Sequence, residues 1–130
     1  MTLLVLAEDD DDIRMITARV LRRAGYTVIE TADGAAALAA VREHRPAGVV
    51  SDIDMPVMSG VDLCLELRAD PATKDLPVIF VSGSLAPGDT RPEQAQATTT
   101  LAKPFRAPEL VMCVQNALER GHRAGSSTTE

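Results

Sequence analysis

Short apolar runs recur along this chain, each cut off by polar residues, with helical spacing in the stretches between them. Leu3-Leu4-Val5-Leu6-Ala7 stops at Glu8, Gly48-Val49-Val50-Ser51 at Asp52, and Pro77-Val78-Ile79-Phe80-Val81 at Ser82. A shorter run, Leu101-Ala102, stops at Lys103. Strand-like runs returning every twenty to thirty residues or so, with helical patterns between, are the signature of a parallel sheet covered on both faces. Ile13, Ile16, Thr17, Val20 and Leu21 predict a first helix over about Asp11–Ala24, with Gly25 as its stop. Tyr26–Glu30 reads as a second strand. Asp33-Gly34 turns into an alanine-rich helix over about Ala35–His44, closed by Pro46.

Val49–Asp52 is predicted as a third strand, apolar enough to lie centrally and be buried on both faces. The loop from Pro56 to Gly60 leads into a third helix with Val61, Cys64, Leu65 and Arg68 on one side, ended by Asp70-Pro71. Val78–Val81 is the fourth strand. From Gly83 to Thr99 the chain holds Pro87, Gly88 and Pro92, so the fourth helix is expected to be short or irregular, opened by Pro92 and reaching about Ala97. Thr100–Ala102 is a brief fifth strand. Pro108 opens a last helix to about Arg120, with Val111, Val114 and Leu118 inward. The expected fold class is α/β, a doubly wound five-stranded parallel sheet, with one domain over residues 1–120 and a mobile tail over 121–130.

Composition narrows the classes. The chain has 130 residues, 45% of them hydrophobic, enough for an ordinary core. Thirteen basic against 19 acidic residues give a net charge of −6, which argues against a large phosphate-backbone surface and so against direct nucleic-acid binding. Three aromatic residues, Tyr26, Phe80 and Phe105, are too few for a base-stacking platform. No run approaches membrane-spanning length and no basic-then-apolar leader opens the chain, so a cytoplasmic protein is expected. Cys64 and Cys113 sit inside helical patterns at no metal-ligand spacing and read as buried or half-buried thiols.

The chemistry collects where the strands end. Glu8-Asp9-Asp10-Asp11-Asp12 places five carboxylates in a row at the mouth of a buried strand. Their repulsion is offset either by a divalent cation with oxygen ligands or by exposure to water. In a doubly wound sheet ligands bind beyond the carboxyl ends of the strands. That rule brings Glu8, Asp9, Asp52, Ser82 and Lys103 into one crevice. Three carboxylates, a hydroxyl and an ammonium suit a Mg²⁺-dependent event on a phosphoryl group, with the lysine as a compact cation. Asp10, Asp11 and Asp12 need no role beyond capping the first helix and favouring its N-terminus. His44 reads as a helix-end surface residue and His122 as part of the tail.

The acidic pair Glu8-Asp9, the segment Asp52-Ile53-Asp54-Met55-Pro56 with Gly60, Ser82-Gly83, and Lys103-Pro104-Phe105 occur together in an order and spacing that resembles the receiver domains of two-component response regulators, over Leu3 to about Leu118. The resemblance implies a CheY-like fold in which Asp52 takes a phosphoryl group from phosphohistidine on a sensor histidine kinase or histidine phosphotransfer protein. It further implies Mg²⁺ (or Mn²⁺) held by Asp9, Asp52 and the backbone carbonyl of Asp54, with Glu8 acting through water. Lys103 would pair with the carboxylate and later with the phosphoryl group, and Ser82, standing where Thr is frequent, would hydrogen-bond it. The Lys103-Pro104 peptide should be cis. The chain would be a stand-alone regulator acting on a downstream protein by contact, with no enzymatic turnover beyond self-phosphorylation from a phosphodonor and slow autodephosphorylation.

Two positions depart from the family pattern. Thr100 stands where an aromatic residue is usual, and Pro87 with Pro92 breaks the fourth helix. Both fall on the face that usually carries output and dimerisation. The alternatives are a small phosphohydrolase of the haloacid-dehalogenase type using Asp52 and Asp54, and a binding-only receiver look-alike. A topoisomerase-primase-like nuclease is disfavoured by the acidic charge.

Overall fold

A computed structural model of the chain describes residues 2–83 and 88–120. Five strands, β1 (Leu3–Ala7), β2 (Thr27–Thr31), β3 (Gly48–Ser51), β4 (Val78–Ser82) and β5 (Thr99–Ala102), alternate with α1 (Asp11–Arg23), α2 (Gly34–His44), α3 (Gly60–Ala69), α4 (Arg91–Gln94) and α5 (Ala107–Arg120). All pairings are parallel, in the order β2-β1-β3-β4-β5. The expected five-stranded doubly wound sheet is therefore present, and β3 lies at its centre with all four residues buried. The tail over 121–130, with His122, and Pro87 in the broken-helix expectation lie outside the described residues.

Alternation along the strands divides the core into two layers. Val5, Ala7, Val49, Val78 and Phe80 face α2 and α3, meeting Ala37, Leu38, Val41, Leu63, Cys64 and Leu67. Leu4, Leu6, Val50, Ile79 and Val81 face α1 and α5, meeting Ala18, Leu21, Leu110, Val114 and Ala117. Each large apolar side chain removed from water contributes about 1.5–3 kcal/mol before entropy is counted. One change such as Phe80→Ala, in the middle of the first layer, would cost about 3–5 kcal/mol.

Local chemistry sets the helix ends. Asp10 caps α1 by accepting from Ile13 N (2.9 Å), Asp33 caps α2 by accepting from Ala36 N (2.7 Å), and Ser59 caps α3 by accepting from Asp62 N (3.1 Å). At the far end of α1, Gly25 takes φ +103°, a left-handed conformation that glycine adopts freely. The fourth helix is short, as its prolines predict. It spans four residues with Pro92 in its first turn.

The inward faces differ from expectation in three helices. In α3 the buried stripe is Gly60, Leu63, Cys64 and Leu67, and Leu65 is exposed. In α1 Thr17, Ala18 and Leu21 are buried while Ile16 is exposed, and in α5 Leu110 and Ala117 are buried with Val114, leaving Val111 half-buried. Each helix has apolar residues at two possible i, i+3, i+4 registers, and packing against the sheet selects one. Arg68, at the end of α3, donates to Leu76 O (2.7 Å), Lys74 O (3.2 Å) and Gln96 O (2.9 Å). It thereby ties α3 to the approach into β4 and to the segment after α4.

Candidate functional site

Parallel register places the strand ends side by side. Ala7 pairs with Ser51 across β1 and β3, and Ser82 with Ala102 across β4 and β5. The residues that follow these ends are Glu8, Asp52 and Lys103. Backbone bonds keep the register past the strands themselves. Glu8 N donates to Thr31 O (3.0 Å), Asp52 N to Ala7 O (2.9 Å), and Lys103 N to Ser82 O (3.1 Å).

The carboxylates that the sequence singles out converge. One oxygen from each of Glu8, Asp9 and Asp52 lies within 4.8 Å of the others. Glu8 is almost fully buried, at 4% exposure, while Asp9 is exposed and Asp52 half-buried. Lys103 spans the cluster, with Nζ 2.6 Å from Glu8 Oε1 and 3.4 Å from Asp52 Oδ2. The pairing with Asp52 expected for Lys103 is present, but the shorter bond goes to Glu8. The Lys103-Pro104 peptide is cis.

Each carboxylate is held by more than the lysine. Glu8 Oε2 accepts from Asp10 N (3.2 Å), so both Glu8 oxygens are engaged. Arg14 on α1 donates to Glu8 O (2.8 Å), fixing the turn that presents Glu8 and Asp9. Asp52 Oδ1 accepts from Ile53 N (2.7 Å), which sets the plane of its carboxylate and leaves Oδ2 on the Lys103 side. Burial pushes the Glu8 carboxyl above its ordinary range, against the pull of its Lys103 and Asp10 hydrogen bonds. Burial pulls the Lys103 ammonium down, but its bond to Glu8 and the charges of Asp52 and Glu8 outweigh that, and its pKa is raised. The site is thus a tight ion pair flanked by two more carboxylates, with more negative than positive charge.

That donor set fits a small hard cation. Three convergent carboxylates repel one another, Lys103 offsets one of them, and oxygen-only ligands are what Mg²⁺ and Mn²⁺ take.

The loop beyond Asp52 is shaped by contact. Gly60 N donates to Ile53 O (2.8 Å), and a Cβ on Gly60 would collide with the backbone carbonyl of Asp52. Only glycine lets α3 begin so close to the site. Within the loop, Met58 N donates to Pro56 O (2.7 Å) around Val57, whose φ is +67°. This is a tight γ-turn on a β-branched residue, a strained conformation.

Ser82 ends β4 beside β3 and is buried. Asp54 is exposed, and its carboxylate is not among the three that converge. It meets Arg91 of α4, with Nη1 3.2 Å from Oδ1, and Arg91 also grips Asp89 at 2.9 Å. Sequence reasoning did not find Arg91, Asp89 or Arg14. Arg91 lies 37 positions from Asp54, and no local pattern marks such a pair.

Comparison with known proteins agrees with the geometry. A model of the response regulator receiver domain family matches residues 4–115. The chain is 36% identical over 127 residues to the transcriptional regulatory protein PrrA of Mycobacterium tuberculosis, a match that takes in 97% of this chain and 54% of PrrA. The chain thus spans about half the length of that relative. It is 34% identical over 122 residues to the response regulator receiver protein CpdR of Brucella abortus, covering 91% of this chain and 98% of CpdR. Among solved structures it is similar to the receiver domain of sensor histidine kinase PA1611 from Pseudomonas aeruginosa, which has a magnesium ion coordinated in its active site cleft. That likeness has a TM-score of 0.85 at 28% identity and covers 91% of this chain and 98% of the other.

Proposed function

Because this chain belongs to the response regulator receiver domain family, we propose that Asp52 accepts a phosphoryl group from phosphohistidine on a sensor histidine kinase or histidine phosphotransfer protein. A carboxylate oxygen of Asp52 forms the new bond to phosphorus, the nitrogen–phosphorus bond breaks, and the electron pair leaves with the donor imidazole. The observation that carries this reading is the convergence of Glu8, Asp9 and Asp52 within 4.8 Å, with Lys103 bonded to both Glu8 and Asp52.

The residues divide the work. The Ile53 N–H fixes the Asp52 carboxylate, and Lys103 stands beside Oδ2 to balance part of the roughly −1.5 to −2 charge that a phosphoryl group brings. Ser82 is assigned the hydrogen bond to a phosphoryl oxygen. Asp9, Asp52 and the Asp54 backbone carbonyl would hold Mg²⁺ or Mn²⁺, with Glu8 reaching it through water, and the ion would supply positive charge against the phosphoryl oxygens. The engagement of both Glu8 oxygens supports an indirect role for that residue. The output is contact with a downstream protein, with no direct nucleic-acid binding by this acidic chain. Among the described residues no helix is long and apolar enough to cross a membrane.

The test is incubation with acetyl phosphate, with and without Mg²⁺, followed by intact mass. One phosphoryl addition per chain is expected, absent in Asp52→Asn and in excess chelator. Persistence of the mass gain in either control overturns the reading. Steady turnover of a small phosphoester would point instead to a phosphohydrolase using Asp52 and Asp54, a reading that the pairing of Asp54 with Arg91 does not favour.

A further inference from the structure

The outer face of α1 has a charge pattern that complements itself when the helix is turned end for end. Asp11 and Asp12 stand at its start, Met15 at its middle, and Arg19, Arg22 and Arg23 at its end. All six are exposed, Met15 at 51%. At about 100° per residue they fall within an arc of roughly 120° on the helix surface. Their spacing is symmetric about position 17. Laid face to face and antiparallel about that level, two copies bring Asp11 opposite Arg22 on one side of the stripe, Asp12 opposite Arg23 on the other, and Met15 opposite the aliphatic stem of Arg19.

Existing contacts leave much of this charge uncommitted. Asp11 bonds Arg14 at 2.6 Å and Arg22 bonds Glu30 at 2.9 Å, both on the surface. Among the described residues Asp12, Arg19 and Arg23 have no ion-pair partner. A helix dipole accounts for acids in the first turn and bases in the last. It does not account for Arg19, or for a large apolar side chain exposed between the two charge blocks. Three arginines grouped on a chain of net charge −6 also single out this face.

We infer that the exposed face of α1 is a self-association surface on which a second copy of this chain packs its own α1 antiparallel, pairing Asp11 of each copy with Arg22 of the other and Asp12 with Arg23. The occupant is a second copy because the complementarity is internal to one stripe and fixes the orientation. A parallel pair would set acid against acid and arginine against arginine. Such an interface is isologous and closes at two copies. A single pair of 13-residue helices buries less than the roughly 800 Å² per partner of a stable complex. The dimer is therefore weak, with a dissociation constant on the order of 100 µM, and weakened further by salt. The inference does not depend on Asp52, so it and the phosphorylation reading stand or fall separately.

Sedimentation equilibrium of the full chain up to about 1 mM tests it, at low salt and in roughly 0.5 M salt. A monomer–dimer equilibrium that weakens in salt is expected. Asp12→Lys and Arg23→Glu should each weaken it at least several-fold. An equimolar mixture of the two variants should recover dimers at the wild-type level, as should the chain carrying both changes, because each lysine then faces a glutamate. Recovery in the mixture also shows that both variants remain folded. A chain that stays monomeric at 1 mM and low salt overturns the proposal. So do single variants that associate like the wild type, or a mixture that recovers nothing, which would leave α1 to a different acidic partner or to its own dipole.

Discussion

Arg91 Nη1 lies 3.2 Å from Asp54 Oδ1, so a guanidinium from the fourth helix is bonded to the loop that begins at Asp52. The same guanidinium holds Asp89, and Arg91 N donates to Asp89 Oδ1 at 2.9 Å. A helix of four residues has little hydrogen bonding of its own, so these side chains define how it starts. Arg91 is thus a physical link between the site and the part of the chain most disturbed by proline.

Replacing Arg91 with Ala should leave phosphorylation of Asp52 intact and speed amide exchange across residues 88–97. The effect should be modest, since exposed ion pairs are individually weak. It should also depend on pH. Hydrogen bonds from the Arg91 side chain and then from its backbone N–H hold the Asp89 carboxyl below its ordinary range. A depressed pKa contributes stability that is present above the ordinary Asp value, about 3.9, and is lost as pH falls through the lower folded value. The exchange difference between wild type and variant should therefore be full at neutral pH and close in strong acid. A difference that persists unchanged in acid would remove the ion pair as its cause.

Gly60→Ala should be severe for its size. The added Cβ meets the carbonyl of Asp52, a backbone atom that cannot swing aside, and close to Ile53 Cα as well. Either α3 shifts or the Asp52 backbone does. A loss of about 2–4 kcal/mol in urea unfolding is expected, along with slower phosphorylation by acetyl phosphate. Unfolding within about 0.5 kcal/mol of wild type would show that the loop has room after all.

Val57→Gly should act the other way. Val57 is 84% exposed, so its side chain contributes little packing, while its φ of +67° is costly for a β-branched residue. Relief of about 1–3 kcal/mol of strain exceeds the roughly 0.5–1 kcal/mol that glycine costs in chain entropy. A net gain of about 0.5–1 kcal/mol in urea unfolding is expected, and a loss of stability would show that Val57 is not strained.

Most of the scaffold was legible because β1, β3 and β4 are nearly unbroken apolar runs and each stops at a chemically distinct residue. Once the strands are parallel, Glu8, Asp52 and Lys103 come out at one end of the sheet, since Ala7 is in register with Ser51 and Ser82 with Ala102, while Ser51 pairs with Phe80, two residues before Ser82. The short fourth helix was legible from Pro87, Gly88 and Pro92 together. What escaped was what tertiary contact decides. Leu63, Cys64 and Leu65 are consecutive apolar residues, and only the sheet determines that Leu65 faces water. Arg91 and Asp54, far apart in sequence, carry no shared pattern. The preference of Lys103 for Glu8 over Asp52 depends on a difference of less than an ångström, which no spacing encodes.

At Lys103 the stability of the fold and the proposed phosphoryl response can be tested in the same variants. Its side chain is 16% exposed and that of Glu8 5%, so the two form a largely buried ion pair at the head of β1 and β5. Removing one member of such a pair costs more than the pair itself contributes, because the other charge stays behind without a partner. Lys103→Ala should therefore fold but lose about 1–3 kcal/mol in urea unfolding. Adding Glu8→Gln should return most of that loss, because the stranded charge is gone and an amide can still accept from Asp10 N. Signalling should separate from stability in the same variants. Lys103→Ala keeps Asp9 and Asp52, so Mg²⁺ binding by calorimetry should persist, whereas the response to beryllofluoride, read as changed amide exchange over the described residues from 88 to 100, should fall sharply. The double variant should regain stability without regaining that response. If the response returned together with stability, Lys103 would matter only as the counter-charge of Glu8 and would have no part in binding a phosphoryl group.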